Sequence, residues 1–456
     1  MLKKSSIALL IFLLATLPLA GCLRKKVVPV TLTFYGLDNS DVFEPLIRSY
    51  HEKFPQVTVK YKKFGDPQVF ENLVVDEIAE GEGPDVFYLS SSALPRHAKK
   101  LAPLNAEMFS AKNFGDVFVE ASAGDFLQPD PADGNVKIYA FPLFVDPLVL
   151  YYNKTVFEQK VPERGRPART WDLFKQDAEK IREEESGALV RGAIAIGRAD
   201  NIMLAPDILL NFFLQYGVDF YDKDFQKVML SGRGLPALQE FLSYADSQNK
   251  YWSWNKDMAP NGQPLQEVEA FLSGKTAAIF GYSDLYGDLA NHIKNLKSRN
   301  LRTLDMKEVG IAPVPQLSTD ESDFRVFERS YGLAVSRNSK NPQAAWNFIQ
   351  YLTSAEALKS YHAKTKRPAS RRDLVEEQRK EPVTEAALSQ IGFAAGYHIY
   401  AEDRFIPILR KAVAEASEDG KTPSQVLRQA EADMNAILQI EAPGGLYPKP
   451  KVKKKS

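Results

Sequence analysis

The first ninety residues admit few folds. Val27 to Tyr35 alternates in polarity and is rich in β-branched residues, so it reads as a strand ending at Gly36-Leu37-Asp38-Asn39. Val42 to Phe54 has helical periodicity and stops before Pro55, and Val57 to Phe64 alternates again. Val69 to Glu80 reads as a helix closed by Gly81, and Asp85 to Leu89 as a buried strand. Such a β-α-β-α-β run implies parallel strands joined by right-handed crossovers. Ligands of such sheets sit beyond the carboxyl ends of the strands. The loops Tyr35-Gly36-Leu37-Asp38 and Ser90-Ser91-Ser92 are therefore the first places to look for a site.

The segment before this run points outside the cytoplasm. Lys3 and Lys4 precede a nearly uncharged stretch, Ser6 to Ala20, of signal-peptide length and too short to span a bilayer. It closes with Leu19-Ala20-Gly21-Cys22, which resembles a bacterial lipobox, in which the thiol is acylated and cleavage leaves cysteine first. Residues 1-21 are then a signal peptide, Cys22 carries the lipid, and 22-29 form a tether. Two acyl chains anchor stably where one does not, and Arg24, Lys25 and Lys26 add attraction to anionic headgroups. Cys22 is the one cysteine of the chain, so no intrachain disulfide and no cysteine-based zinc site is available.

Composition narrows the function classes. Lys plus Arg number 58 and Asp plus Glu 58, a balance that gives no electrostatic case for nucleic acid. His51, His97, His292, His362 and His398 stand singly without metal-ligand spacing, and neither a metal nor a cofactor is expected. Twenty-seven Phe, 19 Tyr and 4 Trp are ample for a core and for aromatic platforms. The length after processing suits two or three domain-sized units. Residues 441-456 read as a disordered basic tail, with its lysine run from Lys449.

Farther along, Lys137 to Tyr152 is a long apolar strand interrupted by Pro142 and Pro147, of the kind that runs between two domains. Helices are expected at Pro206 to Tyr216, Leu235 to Gln248, Leu265 to Leu272, Asn341 to Leu352, Ala401 to Ala416 and Pro423 to Ile440. Strands are expected at Thr276 to Phe280, Glu308 to Pro313 and Arg329 to Ser336.

Several stretches together resemble the family-one extracellular solute-binding proteins, the receptors of sugar-type ABC importers. Leu150-Tyr151-Tyr152-Asn153-Lys154-Thr155-Val156-Phe157 followed by Arg169-Thr170-Trp171-Asp172-Leu173-Phe174 is similar to one family segment, with the usual proline displaced to Pro167. Phe271-Leu272-Ser273-Gly274-Lys275-Thr276-Ala277-Ala278-Ile279 resembles a second, and Gly310-Ile311-Ala312-Pro313-Val314-Pro315 a third. Tyr331 to Ser336 with Asn341 to Ile349, and Thr422 to Leu427, complete the series. The resemblance implies an α/β, two-lobed periplasmic-binding-protein fold of type II. Each lobe would be a mainly parallel sheet flanked by helices, with a hinge of several crossing segments. Carried onto this chain, lobe one is 30-147 with 306-340, and lobe two is 151-304 with 342-440. It also implies a monomer that takes a carbohydrate, foremost an oligosaccharide, between the lobes and delivers it to ABC permease transmembrane subunits.

A carbohydrate site needs aromatic faces for sugar rings and polar groups for hydroxyls. Trp252 and Trp254 share one face of an extended segment and either stack on sugar or pack in the core. Tyr282 and Asp284 follow the strand that resembles the family's cleft strand. Tyr35 and Asp38 end the first strand, where Asp38 takes hydroxyls or caps the next helix. Ser91 bonds ligand or caps a helix. Asp146 sits at the expected hinge, facing ligand or serving structure. Ser330 matches a position that faces the family's cleft. Arg367 serves ligand or a helix C-terminus. Tyr397 and Phe405, with Tyr400, lie where the family supplies a late aromatic, and core is the alternative. The rival from another class is an extracytoplasmic hydrolase: no nucleophile elbow, zincin motif or phosphate loop occurs, but paired glycosidase carboxylates need only spatial proximity. A third reading keeps the receptor fold for sensing or adhesion.

Overall fold

The computed structural model describes residues 28–130, 133–259 and 266–447. The signal peptide, Cys22, most of the tether and the lysine run from Lys449 lie outside the described residues.

The opening run folds as its periodicity dictates: β1 (Val30–Gly36), α1 (Ser40–Lys53), β2 (Val57–Lys63), α2 (Pro67–Ala79) and β3 (Val86–Ser90). β1 lies between β2 and β3 and is parallel to both. Leu32 and Phe34, alternate residues of β1, enter one core together with Phe43 and Leu46 of α1. The chain then passes a short helix, α3 (Glu120–Phe126), into β4 (Ala140–Pro147), every residue of which is buried.

β4 hands the chain to a second body. One residue, Leu148, separates it from β5 (Val149–Asn153). α4 (Ala205–Gln215), β6 (Ala278–Gly281), α5 (Leu285–Ser298) and β7 (Val309–Pro313) follow. β5 is flanked by β6 and β7, both antiparallel to it. The parallel character implied for both lobes therefore holds for β2-β1-β3 and not for this second sheet. The reason is topological: β5 leaves the hinge, whereas β6 and β7 run back toward it, with Gly281 and Pro313 both opposite Val149.

After Pro313 the chain returns to the first sheet as β8 (Val326–Val335), antiparallel to both β3 and β4. Two boundaries drawn from the resemblance shift here. β7 falls in the segment assigned to lobe one, yet it belongs to the second sheet. α6 (Pro342–Leu352) and α7 (Ala355–Thr365) fall in the segment assigned to lobe two, yet Trp346, Phe348, Leu358 and Tyr361 join the core of Phe34 and Phe43. The apolar faces of these helices lie against α1 and β8, so the chain stays on the first body through Val375, and Ala386 and Ala387 then touch the second core before Leu388 and Ile391 return to the first. The short strand β9 (Ala394–Ala395) pairs with Val326 and Phe327. The last helices, α8 (Glu402–Ser417) and α9 (Pro423–Glu441), then pack into the second core through Phe405, Leu409, Leu427 and Met434.

The result is two hydrophobic cores joined by three crossings, at Pro147–Val149, between Pro313 and Val326, and near Ala394. Buried aromatic and branched side chains dominate both, and at about 25 cal/mol per Å² of buried apolar area such cores hold each body without disulfides.

Candidate functional site

The carboxyl end of β1 delivers Asp38 to the mouth of the gap between the two bodies. Its carboxylate accepts the hydroxyl of Tyr88, from β3, and of Tyr361, from α7, the latter at 2.8 Å. The Tyr61 hydroxyl holds its carbonyl at 2.6 Å. The helix N-cap is Asn39, and no side chain caps it, so Asp38 does not serve α1. Arg367 completes the cluster, 3.4 Å from Asp38, with its guanidinium 4.2 Å from the centre of the Phe144 ring. It spends its charge there and not on the C-terminus of α7. Burial alone would lower the Arg367 pKa, and Tyr361, Asp38 and Tyr88 raise it above the usual arginine range.

β4 and β8 form the floor. Paired residues of an antiparallel ladder share a face, and successive residues alternate. Phe144 pairs with Tyr331 and Asp146 with Arg329, so these four lie on one face. The rings of Phe144 and Tyr331 are 5.7 Å apart. Arg329 bonds Asp207 of α4 at 2.7 Å and lies 5.2 Å from the centre of the Tyr282 ring, whose hydroxyl also donates to Asp207 at 2.8 Å. Burial and then Asp207 push the Tyr282 phenol well above its ordinary value, so it stays a donor.

The second body supplies the opposite wall from the turn after β6. Asp146 accepts the Ser283 amide at 3.1 Å and its hydroxyl at 2.6 Å. Burial, then repulsion from Asp284, pushes the Asp146 carboxyl up to about 7. Asp284 occupies the N-cap of α5 but makes no capping bond; it is exposed, and its charge is felt at Asp146 and Arg367. Arg367 belongs to the first body and Asp284 to the second, and the two lie within electrostatic reach of each other. On the other flank, Ser92 donates to Glu402 of α8 at 2.5 Å and Arg96 pairs with Asp403 at 2.9 Å.

Of the residues singled out from sequence, Asp38, Asp146, Tyr282, Asp284 and Arg367 come together here. Ser91 is buried and lines a small recess with Asp207, Arg329, Tyr331, Tyr397 and Glu402. Others lie elsewhere. Trp254 is 0 % exposed, its indole N–H bonded to Asn201 at 2.8 Å, so no ring face is left for a sugar. Phe405 is likewise 0 % exposed, against Phe220. Trp252 packs on the same core and bonds the carbonyl of Trp254. Tyr35 packs beneath α2 against Phe64, under the Lys62 ammonium. Ser330 points to the opposite face of β8, where it bonds Glu328 at 2.6 Å. The Tyr397 hydroxyl bonds the Val218 carbonyl. Arg329, Asp207, Tyr88, Tyr361, Phe144 and Glu402 were not singled out; the one available signal was the position of Arg329 beside Ser330. Among the described residues no group of three or more His, Cys, Asp or Glu side chains could hold a metal ion.

Two α/β bodies joined by three crossings, with polar and aromatic groups converging from both sides of the gap, define the two-lobed binding-protein architecture. The model of the bacterial extracellular solute-binding proteins matches residues 38–359, and the chain belongs to that family. It is 25 % identical over 378 residues to the maltodextrin-binding protein MdxE of Bacillus subtilis (strain 168), covering 80 % of this chain and 79 % of the relative. The sugar-binding protein MalE of Xanthomonas citri superposes with a TM-score of 0.72 at 17 % identity, covering 90 % of this chain and 98 % of that one. A cyclo/maltodextrin-binding protein in complex with maltotetraose superposes at 0.69 and 18 % identity, covering 90 % and 98 %. Among the described residues no helix is long and apolar enough to cross a membrane.

Proposed function

We propose that this chain is the extracytoplasmic capture subunit of an ABC importer and that it takes a carbohydrate, with an oligosaccharide as the leading candidate, between its lobes. The observation that carries the reading is the meeting of the two bodies where Ser283 bonds Asp146, with the exposed Asp284 next to it in the chain and Arg367 on the ring of Phe144, which pairs with Tyr331. A ligand that touches both walls gains its full affinity when the cleft is shut, so binding selects the closed form. Phe144 and Tyr331 offer ring faces, and Asp284 and Arg367 hydrogen-bond to hydroxyls. The relatives named for maltodextrin support the sugar class. The lobes are assigned as residues 28–147, 326–391 for the first and 149–313, 394–447 for the second, following the sheets, with Val326, Phe327, Ala386 and Ala387 reaching into the second core at the crossings.

The chain acts by binding and not by turnover. Lipid on Cys22 holds it at the outer face of the membrane, where the closed form docks on permease subunits as a monomer. Calorimetry of the purified soluble chain with maltotetraose and a panel of other oligosaccharides tests the reading. Saturable binding without product supports it, and release of shorter sugars would replace it with the hydrolase.

A further inference from the structure

The cleft uses one face of β8. Glu328 and Ser330 point to the other face, and there Glu328 meets Asp125 of α3. Both carboxylates are buried, 1 % and 4 % exposed. Ser330 donates to one oxygen of Glu328 at 2.6 Å, while Glu328 Oε1 and Asp125 Oδ2 have no donor from any other group. The pair lies against the third crossing: a Cβ on Gly396 would sit 2.9 Å from Glu328 Oε1 and 3.7 Å from Asp125 Oδ1.

No cation balances the pair. Among the described residues neither carboxylate has a basic side chain within ion-pair distance. From the third crossing His398 approaches, but burial lowers its pKa to about 4, and its ring bonds the Tyr447 hydroxyl at 2.5 Å and lies 3.5 Å from Gln128. Across β4, Asp146 is itself pushed up to about 7 by burial, and once ionised it adds further negative potential. Two adjacent buried carboxylates without a counter-ion cannot both ionise. We propose that Asp125 and Glu328 share one proton at neutral pH, and that release of this proton shifts the balance of the lobes toward the closed cleft.

The direction follows from position. Asp125 and Gly396 line an open groove of ≈ 1230 Å³ between α3 and residues 214–233 of the second body. Alternation along β8 puts this groove and the cleft on opposite faces of the hinge, so a rotation that narrows one widens the other. Closing the cleft widens the groove and admits water to the pair, which ionises and gives its proton to solvent. Linkage is reciprocal: raising the pH favours closure, and lowering it favours opening. Burial supports this by pushing both carboxyls, Asp125 and Glu328, above the ordinary carboxylate range.

The link from proton to cleft rests on the closure proposed above; the shared proton does not. Infrared spectra of the ligand-free chain at neutral pH, in water and deuterium oxide, test the proton first. A protonated-carboxyl stretch that E328Q and, as a second isosteric variant, D125N each diminish is the expected result; a spectrum that neither variant alters overturns the shared proton. Small-angle scattering of the ligand-free chain from about pH 5 to pH 9 tests the coupling. The wild type is expected to compact as pH rises and both variants to lose that dependence. A radius independent of pH, or expansion on raising it, overturns the coupling. Failure to bind maltotetraose would count against the sugar reading and leave both of these results standing.

Discussion

The Ser283 hydroxyl donates to Asp146 at 2.6 Å, and the amide of the same residue donates to that carboxylate at 3.1 Å. A turn of the second body is thereby fastened to the strand that leaves the first. Sequence alone leaves Asp146 open between ligand-facing and structural, and at 4 % exposure, bonded to Ser283, it is a fastener between the bodies.

That fastener titrates. Burial pushes the Asp146 carboxyl up to about 7 in the fold, from 3.8 for the free group. The folded state therefore holds a proton that the unfolded chain has lost between these values. The contribution to stability is fully present below about pH 4 and is lost as pH rises through 7. Asp146→Asn should flatten urea-derived stability over that window by up to about 1.4 kcal/mol per pH unit. His362 acts oppositely: burial lowers its pKa to about 3, so its contribution is present above 6.5 and is lost on acidification. Single variants, not the wild-type curve, separate the two. An unchanged slope in Asp146→Asn would show that the residue is hydrated in solution.

Arg367→Met should do two things at once. It deprives Asp38, whose side chain is 10 % exposed, of its cation, at a cost of about 1–3 kcal/mol. It also removes one wall of the cleft, so affinity for oligosaccharide should fall at least tenfold. Asp284→Asn, on an exposed residue, should lower affinity while leaving the thermal midpoint within a degree or so. A drop in midpoint without loss of affinity in both variants would remove this pair from the site.

Trp254→Phe breaks the bond to Asn201 and should cost about 1 kcal/mol, read by denaturant unfolding, with ligand affinity unchanged. Loss of affinity at unchanged stability would return Trp254 to the cleft.

Cys22→Ala should move the protein from the membrane fraction to the soluble one with the same affinity for ligand. A weaker complex would make the segment around Cys22 part of the fold.

The β-α-β-α-β run was legible because period-2 and period-3.6 patterns are local, and so were the loops at its carboxyl ends. The partners of Asp38 were not: Tyr361 and Arg367 stand more than 300 positions away, brought back by α6 and α7 packing on α1. Burial of Trp254 and Phe405 was equally hidden, because an aromatic side chain has the same local signature in a core as on a platform. Arg329 escaped notice for a related reason. A lone arginine at the start of a strand says nothing until Asp207, 122 positions away, is placed beside it.

The central claim is that a sugar closes the two bodies on one another. Small-angle scattering of the purified soluble chain, titrated with whichever oligosaccharide calorimetry shows to bind, tests it most directly. The account predicts a saturable decrease in radius of gyration with the same midpoint as the heat of binding, abolished in Arg367→Met. Saturable heat with an unchanged radius would contradict it.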